Sequence, residues 1–337
     1  MTTNKSFKRR VRARAAKTGE SYTAALRHFR PNPTGTDMPE TKRLRLAVAQ
    51  TTLREDPRDS AALRETGREL RRLMREAREA GARIVHFPEG ATCSPNKRIM
   101  SADGPERVGP ADWDRFDWDV LRSELNAIAR LAAELGLWTV LGSVHRLTPP
   151  HRPHNSMYVL SDRGEVVTRY DERMLSRTKI SYMYTPGSAP LTFEVDGVRF
   201  GCSLGMEVHF PELFTEYERL DVDCVLFSSA GGMPEDSAAF ATEACGHAAA
   251  NGYWVGFSLP AQHSPTAPSG VIGPDGTWLT RCPRDGTAAL AIADLDDSAE
   301  NVEIAVFKAR PWRRTARAGV YTPHFVQDTR SDERQVF

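Results

Sequence analysis

Short runs rich in β-branched residues alternate with longer amphipathic stretches along most of this chain, and that alternation limits what it can fold into. Leu44–Gln50 (LRLAVAQ) alternates apolar and polar side chains as a half-buried strand does. Between residues 60 and 80, Leu63, Leu70, Leu73, Met74 and Ala77 fall on one helical face. Further strands are predicted at 83–87, 137–143, 156–160, 165–170, 199–204, 223–229, 253–259 and 288–293, with helices over 113–135 and 237–251. Strands separated by amphipathic helices imply a layered α/β domain. The chain carries no evident internal repeat and no low-complexity tract. It also lacks G-x-G-x-x-G and G-x-x-x-x-G-K-[ST], so nucleotide binding has no support.

At 337 residues and 40% hydrophobic content the chain is long enough to bury a core without disulfides. Its five cysteines, at 93, 202, 224, 245 and 282, are scattered and form no C-x-x-C pair. A zinc ribbon and a disulfide scaffold are therefore disfavoured, and a cytoplasmic, reducing setting is expected. No apolar run approaches the roughly 20 residues that span a bilayer, so no membrane partner is expected. Charge is unevenly spread: residues 1–30 hold nine Lys or Arg and one acid, leaving about −7 on the rest. Phe7, Val11, Ala15, Tyr22, Leu26 and Phe29 recur at roughly helical spacing there. Residues 1–40 thus read as a basic extension and linker, with nucleic acid an unlikely but open partner for 1–30. Residues 41–325 form the domain and 326–337 a tail.

Three segments carry a more specific message: IVHFPEG (Ile84–Gly90), NSMYVLSDRGEVVTRYDERML (Asn155–Leu175) and RFGCSLGMEVHFPELF (199–214). With SGVIGPDGTWL (Ser269–Leu279) and RPWRRTARAG (Arg310–Gly319), they resemble the nitrilase superfamily of carbon–nitrogen hydrolases, in order, from about Leu44 to Phe325. The resemblance implies a four-layer α-β-β-α sandwich, assembled as a homodimer or larger homo-oligomer, with Trp312, Arg313 and Arg314 in a segment used for subunit packing. It also implies a glutamate base, a lysine that holds the oxyanion, and a cysteine nucleophile.

This chain departs from that pattern. Glu89 matches the base, but the lysine position of Y-x-K-x-x-L is Glu172, and Lys179 follows seven residues later. The cysteine position is Gly205, which offers no atom for covalent catalysis. An exchange of charge between positions 172 and 179 would keep the pocket neutral while discarding the electrophilic role. Cys202, Ser203 and Cys93 are the remaining nucleophile candidates, each better suited to packing or loop structure. Glu207 and His209 follow the turn and are assigned to substrate contact, with a buried ion pair or hydrogen bond as the plainer role.

Loss of two of three cooperating groups predicts that ordinary cysteine-dependent amidase or nitrilase activity is absent. The resemblance implies that Glu89, Glu172 and Lys179 surround Gly205 in a pocket for a small-molecule substrate or ligand. Two neighbouring carboxylates suit proton-transfer chemistry. No histidine cluster supports a metal, and no cofactor is expected. Three readings stay open: a diverged acid–base enzyme acting on an amide-, nitrile- or amidine-like molecule, a pseudoenzyme that binds a ligand or partner, and a hydrolase with an unrecognised nucleophile. The loops at 91–110, 176–190 and 230–240 carry no recognisable specificity code.

Overall fold

The computed structural model describes Arg12, residues 42–298, residue 302 and residues 304–335. The chain divides into two units, 1–41 and 42–337. Apart from Arg12, the basic extension expected over 1–40 lies outside the described residues, as do any partners assigned to it.

Two six-stranded mixed sheets form the second unit. The first contains β1 (Arg43–Gln50), β2 (Ile84–His86), β3 (Trp138–His145), β4 (His154–Leu160), β5 (Val166–Asp171) and β12 (Ala289–Asp296), in the order β12-β1-β2-β3-β4-β5. The second contains β6 (Thr192–Val195), β7 (Val198–Leu204), β8 (Cys224–Ser228), β9 (Trp254–Ser258), β10 (Gly270–Ile272) and β11 (Trp278–Arg281), in the order β11-β10-β9-β8-β7-β6. In each, three neighbouring strands run parallel (β1-β2-β3 and β7-β8-β9), flanked through antiparallel pairings by one strand on one side and two on the other. The topology therefore repeats, although the residues show no repeat.

Helices α1 (Ser60–Glu79) and α2 (Trp118–Leu135) accompany the first sheet, and α3 (Pro211–Arg219) and α4 (Pro234–Asn251) the second. Strand periodicity sorts the side chains between layers. In β1, Leu44, Leu46 and Val48 join the core between the sheets, whereas Ala47 and Ala49 join the cluster beneath α1 and α2. In β7, Phe200, Cys202 and Leu204 enter the same inter-sheet core. Val225, Phe227, Val255 and Phe257 pack outward with Phe214, Tyr217 and Phe240 of α3 and α4. The result is the α-β-β-α sandwich. Among the described residues no helix is long and apolar enough to cross a membrane.

Local chemistry explains the element ends. Asp59 caps α1 by accepting from the amides of Ala61 and Ala62. The helix predicted from residue 113 starts as a single tight turn, Trp113–Arg115, and α2 begins only after Asp117 accepts from the amide of Val120. Strand β6 went unpredicted, yet its hairpin to β7 turns on Asp196 and Gly197, both at positive φ, a strong short-range hairpin signal. The C-terminal α5 (Arg310–Arg317) and a short α6 (Thr329–Asp332) follow β12. Arg310 is buried, donating to the Val222 carbonyl at 2.8 Å, while Trp312 is exposed.

Buried polar links join the sheets where the parallel strands end, among them that of Ser228. The Ser228 hydroxyl on β8 donates to the carbonyl of Phe87, just past β2, at 3.0 Å. Its oxygen is then the acceptor for His86 Nε2, 2.6 Å away. Burial pushes His86 down to about 3, so the ring is neutral and its proton sits on Nε2. Ser228→Ala removes both bonds and leaves a buried donor unpaired. An expected loss of about 1–3 kcal/mol is measurable by urea unfolding; an unchanged midpoint would show that the link contributes nothing.

Candidate active site

Four chain segments converge at the strand tips. After β2 the chain turns through Pro88 to Glu89, lying flat against β3 because residue 142 is glycine: a Cβ there would stand 2.0 Å from the Pro88 carbonyl oxygen. Glu172 follows β5 directly, its amide donating to the Asn155 carbonyl on β4 at 2.9 Å. Lys179 opens a short π-helical turn, Lys179–Met183. Gly205 follows β7 with φ +57, the left-handed conformation glycine adopts without strain.

Lys179 Nζ sits between the two carboxylates. It donates to Glu89 Oε1 at 2.5 Å and to Glu172 Oε2 and Oε1 at 2.7 and 3.0 Å. Asn155 Nδ2 bridges the same pair, 2.8 Å from Glu89 Oε1 and 2.6 Å from Glu172 Oε2. The amide of Ala230, beyond β8, donates to Glu89 Oε2 at 2.9 Å. The expected partnership of Glu172 with Lys179 is present, and it extends to Glu89. An ammonium already fills the position between the carboxylates that a metal ion would need.

Burial pushes the Glu172 carboxyl up; Lys179 pulls it back, Glu89 and Glu207 push further, and the balance lies near 8, up to about 8 from 4.5. Burial opposes the charge on Lys179, but the two carboxylates outweigh it and hold the ammonium above its ordinary value. The ammonium is therefore held firmly, and Glu172 keeps its proton to higher pH than an ordinary glutamate.

All three groups point at the space over Gly205. The position a Cβ would take there is 2.5 Å from Glu172 Oε1, 3.0 Å from Lys179 Nζ and 3.3 Å from Glu89 Oε2. Any side chain would displace Glu172, so the glycine and the buried acid require one another. This space opens into a cavity of about 690 Å³, walled by Lys97, Tyr184, Met206 and His263 among others.

Other predicted residues lie elsewhere. Glu207 is fully buried and lies outside the cavity wall. Its carboxylate accepts from the Tyr170 hydroxyl, the amides of Arg173, Met174 and Leu204, and the Ser203 hydroxyl. It thereby ties the end of β5, and so Glu172, to the turn at Gly205. His209 also lies outside the wall and pairs with Glu243 at 2.8 Å. Ser203 is occupied by Glu207, Cys202 packs between the sheets, and Cys93 packs with Met100 and Phe116. Burial pushes both thiols well above their usual range, and none of the five cysteines reaches the cavity wall. Asn155 was not anticipated; it precedes the Ser156–Asp171 pair in the β4–β5 register, which sets it beside Glu172.

Comparison with known proteins agrees with this architecture. Residues 45–303 match the family described as carbon-nitrogen hydrolase. A Mycobacterium tuberculosis protein named as a hydrolase is 27% identical over 201 residues, which cover 56% of this chain and 62% of the relative. The chain thus spans less than two thirds of that relative's length. Among solved structures, the Caenorhabditis elegans NitFhit protein superposes with TM-score 0.65 at 19% identity, over 85% of this chain and 67% of its own. Saccharomyces cerevisiae Nit3, a member of branch 10 of the nitrilase superfamily, gives 0.63 at 18%, over 81% and 97%. A Nesterenkonia amidase carrying a covalent adduct at its active-site cysteine gives 0.59 at 18%, over 83% and 99%. At such identities the likeness concerns the fold.

The site generates two expectations. Gly205→Ala is expected to cost about 1–3 kcal/mol, from the positive φ and the displaced carboxylate, with part recovered when Glu172→Ala is added. Additive losses in urea unfolding would disprove the mutual requirement. Because folded Glu172 keeps its proton to higher pH than unfolded Glu172, the folded state binds more protons between 4.5 and about 8. This group's contribution to stability therefore falls as pH rises through that interval. Thermal unfolding is expected to show wild type losing stability relative to Glu172→Gln from about pH 5 to about pH 8; a flat difference would mean that the acid is ionised throughout.

Proposed function

The chain belongs to the carbon–nitrogen hydrolase family, within the nitrilase superfamily, and on that premise we propose that it acts on a small carbon–nitrogen compound by proton transfer rather than through a thioester. The observation that carries the reading is the convergence of Glu172, Lys179 and Glu89 on the space over Gly205. In this reading Gly205 is the vacated nucleophile position, and the room it leaves admits a substrate atom or a water.

Glu172, protonated near neutral pH, gives its proton to a substrate heteroatom. Glu89 Oε2 takes one from an attacking water or a substrate N–H. Lys179 stays charged and steadies the negative charge that develops between them. A positioned acid and base contribute about 10²–10⁴-fold, enough for cyclisation, dehydration or direct hydration of an activated amide-, nitrile- or amidine-like group. The buried thiols argue against a covalent route through Cys93 or Cys202. The exposed apolar side chains of Trp312, Phe325 and Val326 support assembly as a homo-oligomer.

A second reading, binding without turnover, has its own support. Both Glu89 oxygens already accept hydrogen bonds, from Lys179, Asn155 and the Ala230 amide. The two readings separate when a producer-cell small-molecule extract is incubated with purified wild type and with Glu89→Gln, then followed by mass spectrometry. A compound consumed by wild type and spared by the variant is the expected result. A compound that co-purifies with both proteins, with nothing consumed, would replace the enzyme by a binding protein. Turnover abolished by thiol alkylation would instead restore a cysteine route.

A further inference from the structure

Lys97 stands in the wall of the same cavity with no ion-pair partner among the described residues. It is half-buried, and its ammonium donates to the Thr178 hydroxyl at 2.5 Å. Among the described residues no carboxylate comes within ion-pair distance of it. The acids near the cavity are held by other groups. Glu89 and Glu172 share Lys179, Glu55 accepts from Asn96 Nδ2 at 2.9 Å, and Asp236 accepts from the Met233 amide at 3.0 Å. Burial and the positive charge of Lys179 both work against the ammonium, and Glu89 and Glu172 attract it only from beyond contact range. A half-buried ammonium in a cavity wall, bonded to a neutral hydroxyl and to no carboxylate among the described residues, is a group whose charge an anion in the cavity would balance.

The surrounding loop is built to hold this group still. Asn96 Oδ1 accepts from the amide of Arg98 at 2.9 Å, and the amides of Ser94 and Asn96 donate to the carbonyls of Arg54 and Glu55 at 3.1 and 3.0 Å. Thr178, which receives the Lys97 proton donor, immediately precedes Lys179. Lys97 is thus bonded to the residue next to Lys179 in the chain.

We infer that Lys97 is the anion-binding subsite of this cavity, and that the molecule it takes carries a carboxylate at one end and a carbon–nitrogen group at the other. The carboxylate sits on Lys97 and the carbon–nitrogen group over Gly205. The second half of this assignment rests on the proposed function; the first rests on the lysine alone. An anion there also offsets the repulsion between the two lysines. The loop over 91–110, which has no recognisable motif, is then the one that selects for charge.

Calorimetric titration of the full chain tests the subsite with malonamate, succinamate and glutaramate, each against its uncharged diamide. At least one amido acid is expected to bind saturably at millimolar concentration, about tenfold more tightly than its diamide. Lys97→Met is expected to abolish that preference and Lys97→Arg to keep it, with thermal unfolding showing that both variants fold. Equal binding of acid and diamide, a preference that survives Lys97→Met, or no saturable binding by any of the three acids would overturn the inference. Because the readout is binding, the outcome is independent of turnover. Lys97-dependent binding without Glu89-dependent turnover keeps the subsite and removes the proposed chemistry. Glu89-dependent turnover whose KM ignores Lys97→Met does the reverse.

Discussion

The ammonium of Lys179, held between two buried carboxylates, governs everything at the mouth of this sandwich. Removing a charge from water costs several kcal/mol per ion, and the cost is recovered only with close, well-directed partners. Lys179 has them in Glu89 and Glu172, and Asn155 supplies further donors to both. Burial, with Glu89 and Glu207 beside it, outweighs the pull of Lys179 and makes Glu172 hold its proton to higher pH. Glu172 must then approach within 2.5 Å of where a Cβ of residue 205 would stand. The glycine at 205 and the raised pKa of Glu172 are thus two features of one electrostatic arrangement.

Around it, the scaffold is tied by polar groups that never meet a ligand. Glu207 gathers donors from β5, from the segment after it and from the end of β7, so the strands that lead to Glu172 and to Gly205 are positioned by one carboxylate. The Ser228 link does the equivalent between β2 and β8, whose following residues supply Glu89 and the Ala230 amide that meets it. Buried carboxylates and hydroxyls satisfied this fully rigidify a core, and a partly satisfied set would weaken it. The topological repeat adds to this, because equivalent parallel strand ends from the two sheets face the same opening.

Much of the fold was legible because strand periodicity and helix amphipathicity are local. Leu44, Leu46 and Val48 alternate with Ala47 and Ala49, and the two sets enter different cores as the pattern implied. Strand β6 was missed because only Phe193 and Val195 are buried in it, so its signal lay in the turn at Asp196 and Gly197. In the site, Glu89, Glu172, Lys179 and Gly205 could be named from a family pattern. Of the two roles open to Glu207, the plainer buried hydrogen-bonding one holds, and the fold shows its oxygens used by donors from β5, β7 and the segment after β5. Asn155 carried no signal of its own; its role follows from strand register.

The sequence by itself determined the layered α/β class, the likeness to carbon–nitrogen hydrolases and the absence of a thiol at position 205, since these depend on residue identity and short-range order. Only the tertiary structure decided where the charges go. Seven residues separate Glu172 from Lys179, and 90 separate Lys179 from Glu89. No local rule states that the path from β5 through the π-helical turn returns the ammonium between both acids. Coulomb energy depends on distances that chain separation does not encode, and the sheets packed face to face supply those distances. The same holds for Lys97, an ordinary surface-type residue in the sequence, which the folded cavity half-buries and, among the described residues, leaves without an ion-pair partner.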